Sequence, residues 1–367
     1  MPMVTDVLAP RAVGCTRRGV LAAAASLWTG APAAALRRLP PLWSAWSAGT
    51  GVDRYRAGQL GSKGVALPAR AHQVIADPRR NSQAYAVARR PGEWLWRVDL
   101  KSNSVVRAIA LDDLRRFEGH LLYRPFAGAH HDQLVSVETN TDTGAGLLGL
   151  RDPDSLALRD EWATHGVGPH EVIAWGDQLL AVANGGLLTL PETGREVRNA
   201  GPLHSSVCAI DSTTGTLRGE WTAPNADLSL RHLATSADGC LGVAMQSQNA
   251  PTTAPVLAIL PPNGGAWIEA EGSTSLFTGL KGYAGAIAAN GNEFAVTCPQ
   301  GDAVAIWSST GRLVACLAIP GAWGIASHEP GWMVSNAAGE RFEITARTHR
   351  VTAHWQSPGL HWDNHIS

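Results

Sequence analysis

From about residue 40 onward, apolar residues come in short runs broken by Gly, Asp, Asn and Pro, and no stretch carries the periodicity of a long amphipathic helix. One opening run recurs. It reads Ala71-His72-Gln73-Val74-Ile75-Ala76, Gly119-His120-Leu121-Leu122-Tyr123-Arg124, Pro169-His170-Glu171-Val172-Ile173-Ala174 and Arg231-His232-Leu233-Ala234-Thr235-Ser236. Weaker copies start at Tyr283 and Ala322, and a last one is Leu360-His361-Trp362-Asp363-Asn364-His365. Intervals of about 40 to 60 residues are those of propeller blades. Behind each opening run comes a turn and a second apolar run, such as Leu134–Val137, Leu179–Val182 or Trp332–Ser335. Third and fourth runs follow, as in Val207–Asp211 and Leu217–Trp221. That order predicts an all-β, seven-bladed β-propeller of four-stranded antiparallel blades.

The ends predict how the ring closes. The seventh opening run has no chain after it. Three apolar runs lie ahead of His72, at Leu42–Trp46, Tyr55–Leu60 and Val65–Pro68. One C-terminal and three N-terminal strands would complete the last blade, removing the edges that an open sheet exposes.

Before the repeats, Thr16-Arg17-Arg18-Gly19-Val20-Leu21 leads into an alanine-rich apolar stretch ending near Ala35. Paired arginines, a weakly hydrophobic core and small residues at its end read as a twin-arginine export signal. The core is too short for a membrane span. The expected organisation is a signal peptide over residues 1–35, a single propeller over 36–367, a periplasmic location and a monomer.

Composition narrows the function classes. The 39 Gly and 22 Pro suit many tight turns, and 14 Trp against 4 Tyr suit a fold that fills the space between packed sheets with large flat rings. A net charge of −1 without a basic cluster speaks against nucleic-acid binding. Cys208, Cys240, Cys298 and Cys316 each sit in an apolar run without a Cys-x-x-Cys pair, and are expected as buried free thiols. No G-x-S-x-G elbow, phosphate-binding loop or H-E-x-x-H motif occurs.

In a propeller, the start of each inner strand and the loop after each second strand converge at one end of the channel. On that basis the candidate funnel holds His72, His120, His170, His232, Trp323 and His361 from the opening positions. Glu138, Asn140, Asn184 and Asn336 join them from the loops. Imidazoles with a carboxylate can hold iron, copper or zinc. Each residue also has a plain structural use: a strand-opening histidine can bond the neighbouring backbone, Glu138 and Asn140 can serve a turn, and Asn184-Gly185-Gly186 is a tight turn. Arg89-Arg90 reads as a solvated loop in preference to an anion clamp, and His130-His131 as surface at the opposite face.

The strings Glu138–Gly144, Gly166–Glu171, Val182–Gly186, Leu230–Leu233 and Gly291–Trp307, with Leu67–His72 and Trp362–His365, resemble the DUF 1513 family of exported bacterial propellers. The chain departs from the family's acidic turn at Thr143, where a second carboxylate is lacking. Members are similar to twin-arginine substrates encoded beside imelysin-like lipoproteins and a dihaem, thiol-oxidoreductase-like protein. The resemblance therefore implies a place in periplasmic iron acquisition, with those proteins as partners, and assigns no reaction. Three functions stay open. One is a binding or assembly propeller for a metal species, small ligand or partner; another is an iron- or copper-dependent redox or lyase-type enzyme using the funnel; the third is a rigid scaffold with an inert funnel and a protein-binding rim. Without a nucleophile–base set or an acid pair, the sequence leans to binding.

Overall fold

A computed structural model describes residues 41–51, 54–125, 132–188, 202–248 and 253–367. The export signal and His130-His131 lie outside the described residues.

Seven four-stranded antiparallel sheets make the seven blades of a β-propeller. Their innermost strands are β4 (Ala71–Ala76), β8 (Arg115–Arg124), β12 (Pro169–Trp175), β16 (Leu228–Thr235), β20 (Ala286–Asn290), β24 (Ala322–His328) and β28 (Leu360–Ile366). Each inner strand touches the next around the full circle, including β28 against β4. The seventh blade has the order β28-β1-β2-β3, with β1 spanning Trp43–Ala48, β2 Tyr55–Gln59 and β3 Val65–Leu67. Trp46 pairs with Trp362 and Ser44 with Ile366. This is the closure expected from the two ends, and it leaves no unpaired inner edge.

Alternating apolar residues on both faces of these strands pack blade against blade. Trp43, Trp96, Trp307 and Trp332 are fully buried in that packing, and buried indole N–H groups donate to carbonyls, as Trp307 does to Glu271 at 2.9 Å. The one α-helix among the described residues, α1 (Thr274–Leu280), is a single short element ahead of β20. No helix there is long and apolar enough to cross a membrane. The four cysteines are free; three are buried and Cys316 is partly so.

Six of the seven inner strands share a defect at one level. Along β4 the register moves from Ala71↔Ala88 to Gln73↔Val87, so His72 is an extra residue. His170 is extra in β12, Arg231 in β16 and Trp323 in β24. In β8, Phe117 and Leu121 pair on either side of a longer bulge that contains His120. In β28 the irregularity falls between Trp362 and Ile366, and contains Asp363, Asn364 and His365. A bulge interrupts the alternation of faces and re-aims a side chain. In five of these six strands the bulge contains or directly precedes a buried histidine.

Candidate metal centre

The bulges bring five imidazoles together on the propeller axis: His72, His120, His170, His232 and His365. All five are buried. Neighbouring ring centroids stand from 4.4 Å (His72–His365) to 5.2 Å (His120–His232) apart. Two triads share His120. In His72/His120/His170, and again in His120/His232/His365, one ring nitrogen from each residue lies within 4.8 Å of the others. Nε2 of His365 and Nε2 of His72 face each other at 3.1 Å.

Gly119 makes this approach feasible. Its φ is +102°, and a Cβ there would lie 2.5 Å from Cδ2 of His72. Only glycine meets both requirements.

Carboxylates orient the rings from outside the cluster. Oδ1 of Asp363 lies 3.3 Å from Nδ1 of His72. The two oxygens of Glu171 divide between His120 and His232, each 3.4 Å from Nδ1. Glu171 also accepts a 2.7 Å hydrogen bond from the Leu233 amide, as Gln73 does from Leu121. The residue after a funnel histidine thus fastens the next blade's bulge. With Nδ1 of His72 bonded to Asp363, its Nε2 is left as the lone-pair donor, the arrangement that orients metal-ligating histidines. Both ring nitrogens of His120, and Nδ1 of His170 and of His232, are buried and have no hydrogen-bond partner among the described residues.

Electrostatics keeps four of these rings uncharged. Burial, then repulsion from His365 and His120, holds the pKa of His72 well below the ordinary histidine value. Burial and His232 do the same to His170, and burial, His120 and His232 to His365. For His232 burial also wins, against the attraction of Glu171. Burial acts to raise the pKa of Glu171, but its contacts with His120 and His232 outweigh that and keep it low. Neutral imidazole is the ligating form.

Next to the rings opens a cavity of about 80 Å³. His72, His170 and His232 form part of its wall, with Arg89, Arg90 and Arg231. Trp323 and Tyr283 meet edge to face on another side, their ring centroids 5.9 Å apart.

Of the residues expected in the funnel, His72, His120, His170, His232 and Trp323 come together and five others do not. Glu138 is fully buried inside the blade that runs from β8 to β11 (Leu158–Val167), where Arg151 donates to it at 2.6 Å and Arg115 approaches at 3.3 Å. From β9 (Gln133–Asn140) its carboxylate is taken up by Arg151, Arg115 and Ser136 of its own blade. Asn140 stabilises its own turn, accepting from the amides of Asp142 and Thr143. Asn184 is buried and donates to the Thr164 carbonyl, and Asn336 donates to the Pro320 carbonyl and accepts from the Ala338 amide. These amides satisfy backbone groups that strand ends leave open. His361 is exposed and contacts the Ala337 carbonyl at 2.8 Å. His365 occupies the axis in its place, because the bulge in β28 lies beyond Trp362.

Sequence reasoning missed Glu171, Asp363, His365 and the arginines. A usable signal existed for two of them: Glu171 follows a funnel histidine directly, and Arg231 immediately precedes one. Arg89 and Arg90, expected as a solvated loop, have side chains only 18% and 20% exposed.

A family model described as "Protein of unknown function (DUF1513)" matches residues 65–367. No curated protein matches the sequence. Among solved structures, BamB from Moraxella catarrhalis is similar, with a TM-score of 0.50 and 15% identity over 85% of this chain and 82% of that one. That likeness is one of fold.

Proposed function

The chain belongs to the family of proteins of unknown function DUF1513, and from this premise we propose that it is a metal-binding β-propeller, taking iron or copper at the axial histidines. In this reading it is exported by the twin-arginine route and works in the periplasm as a binding or assembly protein of iron acquisition. Its partners are the imelysin-like or dihaem oxidoreductase-like proteins that the family resemblance implies.

One observation carries the metal reading: buried imidazoles converge with ring nitrogens that no protein group among the described residues satisfies. Buried polar atoms without partners are costly, by about 1–3 kcal/mol each, and an ion would repay several at once. Ring nitrogens around an ion at about 2.1 Å stand roughly 3–3.5 Å apart. The triads need only a modest inward rotation to reach that spacing, and the His72–His365 pair already has it. Five imidazoles and no thiolate suit borderline ions such as iron(II) and copper(II) over soft or hard ones.

Metal analysis of the full chain purified from the periplasm tests this. The expected result is one iron or copper per chain, absent from a His120→Ala/His170→Ala variant that still folds. A metal-free protein whose stability does not change on adding iron(II) or copper(II) would overturn it. Replacing Arg17 and Arg18 by lysine should strand the protein in the cytoplasm; continued export would remove the twin-arginine assignment.

A further inference from the structure

The cavity beside the histidines has a charge pattern that a metal site alone does not require. Its wall carries the guanidinium groups of Arg89, Arg90 and Arg231 and no carboxylate. The acids nearest these arginines are already committed outside the wall. Asp363 takes Arg70, Arg89 at 3.4 Å and His72. Glu118 accepts a 2.7 Å hydrogen bond from Thr139 and stands 3.9 Å from Arg90. Arg70, Arg89 and Arg90 thus share two acids, Asp363 and Glu118. A divalent ion on the histidines would add two more positive charges.

Guanidinium groups are rarely drawn together at a small pocket without an anion to bridge them, since their planar donor forks match carboxylate and phosphate oxygens. Here the cavity holds only a few non-hydrogen atoms. His170, one of whose buried nitrogens has no hydrogen-bond partner, lines it. Tyr283 and Trp323 complete the lining with an edge-to-face ring pair.

We infer that this vestibule is an oxyanion subsite: Arg89, Arg90 and Arg231 receive a small oxyanion, of the phosphate or carboxylate kind, next to the ion on the histidines. The inference rests on the metal reading for that neighbouring charge, and on the cavity itself for the anion. The ligand class for the whole site is then a metal ion together with its anionic co-ligand, which is how a weakly soluble ion stays in solution.

Titration of the full chain with inorganic phosphate, and separately with oxalate, tests it calorimetrically at constant ionic strength set with chloride. Each titration is run on metal-free and metal-loaded protein. Saturable binding of at least one anion to the metal-free form is expected, about ten-fold tighter or more once metal is loaded. Arg90→Gln should weaken it about ten-fold with metal content unchanged, and Arg90→Lys should restore part of it. Arg231→Gln should act likewise, with circular dichroism to establish that it folds. Preference for phosphate or oxalate identifies which oxyanion geometry the forks match. If the protein takes up metal but neither form binds either anion at 10 mM (a concentration of about the upper millimolar range for weak sites), the subsite is overturned and the metal reading stands. If it binds anion but no metal, the metal reading falls and the arginine subsite survives. Binding that Arg90→Gln leaves unchanged also overturns the inference.

Discussion

Two buried ionisable clusters, one within a blade and one on the axis, are built on opposite principles. Inside the blade β8–β11, Glu138 is enclosed by Arg151, Arg115 and Ser136, whose hydroxyl donates to it at 2.5 Å. Arg151 in turn donates to Ser136 and to the Leu156 carbonyl. Every strong group there finds a protein partner. On the axis, four of the five clustered imidazoles are held neutral and buried nitrogens remain without one. Both clusters are equally hidden from water, so burial does not separate structure from function. What separates them is whether the polar groups close on one another. A closed network specifies a core, whereas an open one at the centre of a ring implies a ligand.

The largest effect should come from removing what both clusters depend on. Deleting residues 360–367 takes away β28, the inner strand of the closing blade, together with Asp363 and His365. Loss of the cooperative unfolding transition is expected by calorimetry; a truncated chain that melts like the full one would break the link between ring closure and site. Next comes Glu138→Ala, which leaves Arg151 buried without its counter-charge. It should cost about 3–5 kcal/mol in denaturant unfolding and leave metal content unchanged. A loss of metal instead would return Glu138 to the funnel.

The smallest effect is a slope. In metal-free protein His72, His170, His232 and His365 have pKa values below that of the unfolded chain, so between the folded pKa and about 6.5 the unfolded state binds more protons. Stability then falls on acidification through that window, by up to about 1.4 kcal/mol per pH unit for each histidine, and is flat above it. His170→Gln should remove one histidine's share of the slope. Unfolding at pH 5, 6 and 7 that shows no such difference would mean the axial rings are charged when folded.

The repeat, the strands and the closing blade were legible in the sequence because they follow from local patterning. A run of Val, Ile, Ala and Leu between Gly or Asp turns states its own conformation, and seven copies with a split last one leave little freedom in how the ring closes. Four of the five axial histidines were legible for the same reason, since each sits at a fixed place in its repeat. His365 was not, and His361 stood in for it. Strand side chains alternate between faces, so a bulge of unknown position decides which histidine points inward. The sequence records the residues of that bulge but not the register of the strand beside it, which is fixed only when β1 pairs with β28.

The same limit explains Glu138, Glu171 and the arginines. An acid chooses among cations that are near in space. Glu138 lies 13 residues from Arg151 and pairs with it across a hairpin, while Glu171 reaches His120 and His232 on two neighbouring blades. Local patterning determined that this chain makes a propeller with histidines at its inner strands. Only tertiary packing decided which of them share the axis, which carboxylates orient them and which arginines stand beside them, because those relations depend on bulge register and blade-to-blade distance.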